Sequence, residues 1–133
     1  MSTLQCTNIQ DTSGGNSLTT AQNYSGTAKA WVNFNGTTSP GTIRASFNVS
    51  SVTKNGTGDY TVNFSSALSD ANYVTVGSCN RPSGGNGDGI LSLYAVNNSG
   101  ALVDPTTSAA RISTSLFSNS DVDMTFICVA FFR

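Results

Sequence analysis

AKAWVNFNGTTSPGTIRASFNVSSVTKNGTGDYTVNF, residues 28–64, is a succession of three strand-like runs and two turns. Ala30, Val32 and Phe34 alternate with Trp31, Asn33 and Asn35, and Asn35-Gly36 then supplies a residue pair that tolerates positive φ at a tight turn. In the second run Ile43, Ala45, Phe47 and Val49 form an apolar side opposite Arg44, Ser46, Asn48 and Ser50. Tyr60, Val62 and Phe64 do the same in the third, after the turn Asn55-Gly56-Thr57-Gly58. A period of two, repeated this way, predicts a β-meander of antiparallel strands with one face on a core and the other wet or against a partner.

Working outward, Tyr73 to Cys79 is expected to be a fourth strand and Ile90 to Val96 a fifth, followed by the turn Asn97-Asn98-Ser99-Gly100. Asp104-Pro105 interrupts the chain before a further strand from Ala109 to Phe117. The segment Val122 to Phe132 is the most apolar: Met124, Phe126, Cys128, Ala130 and Phe132 share one face, and Ile127, Val129 and Phe131 the other. A strand apolar on both faces is either central to the sheet system or packed against another chain. Seven or eight short strands with no helical stretch predict an all-β fold, an antiparallel β-sandwich or jelly-roll-like domain over residues 28–133. Residues 1–27 show little periodicity, with Leu4, Ile9, Leu18 and Tyr24 as isolated apolar anchors, and read either as a disordered leader or as an extended N-terminal arm that docks on another subunit.

Composition narrows the function. The 133 residues are 38% hydrophobic and only 10% charged, with a formal net charge of −1, which argues against a nucleic-acid surface or a polybasic membrane anchor. No apolar run approaches the roughly 20 residues that cross a bilayer, and MSTLQCTNIQ lacks the basic and apolar regions of a signal peptide. Cys6, Cys79 and Cys128 lack C-x-x-C spacing and are expected to be free thiols, a Cys79–Cys128 disulfide being the alternative.

Chemistry is sparse. The chain contains no histidine, so the commonest general base and metal ligand is missing, along with every Ser-His or Cys-His nucleophile arrangement. The carboxylates are seven aspartates, most beside turns or strand ends, where Asp completes turns; Asp121 and Asp123 are expected to be exposed at the start of one strand. The loop from Arg81 to Gly89 superficially resembles Gly-Asp calcium repeats but occurs once, so no metal or other cofactor is expected. Trp31, Tyr60, Tyr73 and Tyr94 are the aromatic candidates for a carbohydrate platform, but core or subunit-interface packing is the preferred reading. Asn-x-Ser/Thr triplets at Asn35, Asn48, Asn55 and Asn63 follow from composition.

The blocks KAWVNFNG, IRASFNVSSVT, NGTGDYTVNF and Asp70-Ala71-Asn72-Tyr73 resemble a segment shared by structural proteins of bacteriophage virions, especially marine phages and cyanophages, including tail-fibre-like proteins. Met1-Ser2-Thr3-Leu4 and Ile9 to Gly15 resemble the opening of many such proteins, while Gln5-Cys6 departs from it. The resemblance covers about the first 75 residues. It implies a non-enzymatic virion protein assembled in the bacterial cytoplasm, with itself, the major capsid protein or other virion proteins as partners. A capsid decoration or cement protein, binding the outer shell as a homotrimer, is the first reading; a tail-fibre or receptor-binding component is the alternative. On either, residues 1–27 dock on the particle, and Trp31, Phe126, Ile127, Val129, Phe131 and Phe132 supply core or oligomer interface, the Phe126 ring being expected in the core.

Overall fold

The structure is a computed structural model, and it describes residues 5–80, 89–93, 101–118 and 120–133. In chain order the elements are β1 (Asn8–Gln10), β2 (Ser17–Thr19), α1 (Thr20–Gly26), β3 (Ala28–Asn35), β4 (Thr42–Phe47), β5 (Val49–Gly56), β6 (Asp59–Phe64), β7 (Val74–Cys79), β8 (Gly89–Leu93), β9 (Ala109–Leu116) and β10 (Ile127–Phe132). Two four-stranded antiparallel sheets, ordered β4-β3-β10-β7 and β5-β6-β9-β8, pack on one another as an all-β sandwich. The expected loop from Arg81, the turn at Asn97 to Gly100, Leu4 and Tyr94 lie outside the described residues.

Alternation explains the interior. Ala30, Val32 and Phe34 of β3 and Ile127, Val129 and Phe131 of β10 face Val52, Tyr60, Val62, Ala110 and Ile112 of the second sheet, all in one buried cluster. Aromatic rings lock it edge to face: Phe34 on Tyr60 with centroids 5.2 Å apart, and Phe64 on Phe131 at 5.0 Å, in the geometry that the ring quadrupoles favour. Because β10 lies between β3 and β7, its doubly apolar pattern marks a central strand.

Residues 28–64 are not a meander. The strands β3 and β4 form a hairpin in the first sheet, β5 and β6 a hairpin in the second, and the chain crosses between them at Asn48. Two local features break the regular alternation. Phe34 pairs with Ile43 and Asn33 with Ala45, so Arg44 is an extra residue, a bulge that reverses the phase of the strand. Ile43 therefore packs against the core while Ala45 and Phe47 fall on the outer side. Asn48 then adopts φ 54°, a left-handed conformation that Asn tolerates better than most residues, and Val49 re-enters the core from the other sheet. The Asn48 side chain secures this corner: its amide nitrogen donates to the carbonyls of Lys29 (3.0 Å) and Ser66 (3.1 Å), and its oxygen accepts from the Ser66 N–H (2.8 Å).

The arm has more local order than its composition implies. The strands β1 and β2 pair as a hairpin, turned by Asp11, whose carboxylate accepts from Ser13, the Gly15 N–H and Asn16. The helix α1 opens on a capping box in which Thr19 and Gln22 satisfy each other's backbone N–H groups.

Candidate functional site

Two largely covered ion pairs fasten the strands of the second sheet, Asp59 with Arg111 on its outer face and Lys54 with Asp123 at the end of the core. Arg111 on β9 grips Asp59 on β6 through both carboxylate oxygens, and both side chains are largely covered. Asp123 receives three donors: the Lys54 ammonium, the Gly58 N–H at 2.8 Å and the Tyr60 hydroxyl at 2.8 Å. Gly58 has φ 66°, and a Cβ there would strike the Thr114 carbonyl, so the turn that presents its N–H requires glycine. Burial alone opposes ionisation of Asp123, but the Gly58 N–H, Lys54 and Tyr60 outweigh it and hold the carboxyl below its ordinary range. Burial, reinforced by the neighbouring Asp123 charge, raises the Tyr60 hydroxyl well above an ordinary phenol. On the surface, the bidentate Arg133 contact followed by the Asn72 N–H holds Asp70 low.

These contacts correct the reading of Asp123 as exposed; Asp121 does lie at the surface, where its backbone bridges to Ser115. Tyr60 and Tyr73 are buried in the core, so an aromatic platform that includes them is ruled out. The three cysteines are free. Cys79 pairs in register with the inward-facing Ile127, whereas Cys128 is on the opposite face of the sheet, so the side chains diverge and cannot be bridged.

The outer face of the first sheet carries the features that remain. Register places Phe47, Trp31, Ala130 and Val76 in one row across β4, β3, β10 and β7. Trp31 is 39% exposed, Phe47 55% and Val76 48%. Beside Trp31, a depression of about 320 Å³ lies over β10 between β3 and β7, walled by Trp31, Asn33, Val76 and Ser78 and floored by Cys128 and Ala130. A second concavity of about 520 Å³ separates α1 from the end of the sandwich, with Tyr24 and Phe47 among its walls and Arg133 on its margin.

The residues expected to form core or interface divide cleanly. Ile127, Val129 and Phe131 are core; Trp31 and Phe126 are on the surface, and Phe132 is partly buried. Phe126 corrects the expectation of a core ring: it precedes β10, is 50% exposed, and lies under the Arg44 guanidinium, 4.0 Å from ring centroid to Cζ. Arg44 also donates to the Thr125 carbonyl at 2.7 Å, so the bulge and the exposed ring form one contact. In the arm Ile9 and Leu18 are direct cross-strand partners and both exposed, and Tyr24 is exposed with the Lys29 ammonium over its ring. Sequence reading missed Phe47 as a surface residue, since the Arg44 bulge has no signature in the apolar pattern.

Searches against family models, curated proteins and solved structures return no match for this chain.

Proposed function

We propose that the chain is a non-enzymatic structural protein of a bacteriophage virion, acting as a capsid decoration or cement protein on the outer shell. The observation that carries this reading is where the phage-like blocks fall. KAWVNFNG is β3 with its turn, IRASFNVSSVT is most of β4, the Asn48 corner and most of β5, NGTGDYTVNF is the turn of the second hairpin and β6, and Asp70 to Tyr73 leads into β7. The resemblance therefore runs through the framework of both sheets. A framework whose ionic groups fasten strands to one another, and whose first sheet presents an apolar outer row, suits a protein that works by binding other proteins.

On this reading the arm of residues 1–27 docks on the shell, with Ile9, Leu18 and Tyr24 as its exposed apolar side chains among the described residues. The protein assembles in the host cytoplasm and resides in the virion. The homotrimer implied by the resemblance enters the proposal as self-association. Quantitative mass spectrometry of purified particles tests the location. Decoration requires copies in a fixed, high ratio to the major capsid protein; the few copies characteristic of a tail appendage would move the protein to the tail-fibre reading, and its absence from particles would overturn both.

A further inference from the structure

We infer that the outer face of the β4-β3-β10-β7 sheet is a self-association surface, and that its occupant is the same face of a second copy related by a twofold axis. Trp31 is the largest side chain on this face and stands exposed, while the next strand offers the depression floored by Ala130 and Cys128. A partly exposed indole and the hollow it borders thus lie side by side on one surface. A twofold contact requires such a patch, since each copy must supply what the other receives. Turning one copy by half a turn about an axis between Trp31 and the hollow delivers each indole to its partner's hollow. About 320 Å³ is the low end of the space that holds a small organic molecule, and an indole falls within it.

Composition and area point the same way. The row Phe47, Trp31, Ala130 and Val76 carries no charge, Asn33 and Ser78 beside it are neutral hydrogen-bonding groups, and the two cations nearest the row are engaged within the chain, Arg44 with Asn33, the Thr125 carbonyl and the Phe126 ring, and Lys29 with the Thr27 carbonyl and the Tyr24 ring. Aromatic side chains offer about 150–250 Å² each, so the exposed parts of Trp31 and Phe47 amount to roughly 100 Å² apiece. With Val74 and Val76 the apolar centre is on the order of 300–400 Å², against about 800 Å² per partner in a standard interface. An apolar centre of that size inside a polar rim is the usual anatomy of a protein contact. Knob and hollow on one nearly flat face favour two copies over the three implied by the phage resemblance, because a threefold ring needs complementary patches on different sides of each copy. This inference rests on the sheet alone and stands or falls separately from the virion reading.

Trp31 is the single tryptophan of the chain, so its emission reports on this contact directly. Sedimentation velocity and emission spectra of the full chain are measured together across a dilution series through the micromolar range. The expected result is a monomer–dimer equilibrium whose emission shifts to the blue as dimer forms. Trp31→Ser should raise the dimer dissociation constant about thirtyfold or more, the loss expected for a central aromatic anchor. Ala130→Arg keeps the fluorophore but fills the hollow with charge, and should leave a folded monomer with red-shifted emission at every concentration; far-UV circular dichroism checks that both variants are folded. A monomer with concentration-independent emission, a stable trimer, or a dimer unaffected by both substitutions would each overturn the inference.

Discussion

Phe131→Ala and Phe126→Ala remove the same atoms from neighbouring parts of one segment, and the structure gives them very different costs. Phe131 is fully buried, edge to face with both Phe64 (5.0 Å) and Tyr73 (5.6 Å). Truncating it loses the transfer energy of the ring and leaves a cavity, together about 3–5 kcal/mol. Phe126 is half exposed, so it forfeits about 1 kcal/mol of burial, and the Arg44 contact adds about 0.5–1 kcal/mol. Against a total stability of about 5–15 kcal/mol, the first change consumes a large share and the second a small one. Urea denaturation followed by far-UV circular dichroism resolves the two, with a slope of about 1–3 kcal/mol per molar for a domain of this size. At a slope of about 1.5, the midpoint should fall by about 2–3 M for Phe131→Ala and by about 1 M for Phe126→Ala. A loss for Phe126→Ala equal to or larger than that for Phe131→Ala, at unchanged slope, would refute the assignment of Phe131 to the core and Phe126 to the surface.

Asn48→Ala should cost about 2–4 kcal/mol, from three hydrogen bonds and the left-handed backbone, and Asn48→Gly about 1 kcal/mol less because glycine accepts φ 54° freely; equal losses in urea melts would contradict this account of the corner. The Asp123 carboxyl is depressed in the folded state, so its stabilisation is present above the ordinary value of 3.8 and is lost as pH falls through the lower folded value. Tyr60 is raised, so its contribution is intact below the ordinary phenol value of 10.0 and is lost as pH rises above it. Stability profiles of Asp123→Asn and Tyr60→Phe should accordingly lose the acid and the alkaline slope respectively, and an unaltered acid slope in Asp123→Asn would count against the Lys54-Gly58-Tyr60 cradle. Deleting residues 1–20 should leave the unfolding free energy of the sandwich, from urea melts, within about 0.5 kcal/mol of the full chain while abolishing binding to shells stripped of the native protein; undiminished binding would place the attachment surface on the sandwich.

Much of the fold was legible because most strands keep a strict two-residue period. Ala30, Val32 and Phe34, and Tyr60, Val62 and Phe64, are buried as their alternation predicts. Other signals were present but weak, such as Thr19 followed three residues later by Gln22, the capping box that starts α1. The faces of β10 were not legible from the segment itself, since both are apolar; the neighbours decide, with Val32 and Gly77 pairing Val129 on the inner side and Trp31 and Val76 pairing Ala130 on the outer. Ionic partners such as Asp59 and Arg111, or Lys54 and Asp123, are brought together only by sheet order and sandwich closure.

The outer row was hidden for a deeper reason. Ile43, Ala45, Phe47 and Val49 look like one uninterrupted apolar side, yet they serve three environments: Ile43 the core from the first sheet, Ala45 and Phe47 the outer face, and Val49 the core from the second sheet. Each change of side depends on a polar residue that finds its partners far along the chain. Arg44 is held in its bulge by the Thr125 carbonyl and Asn33, and Asn48 in its left-handed turn by Lys29 and Ser66. The bulge that spoils the alternation is also what sets Phe47 opposite Trp31 and extends the apolar row to the sheet edge. Deleting Arg44 should remove the extra residue and leave Ile43 opposite Phe34, Ala45 opposite Asn33 and Phe47 still outward beside Trp31, at the cost of the Thr125 and Phe126 contacts; the same irregularity that obscured the strand's facing thus builds the surface on which self-association is proposed.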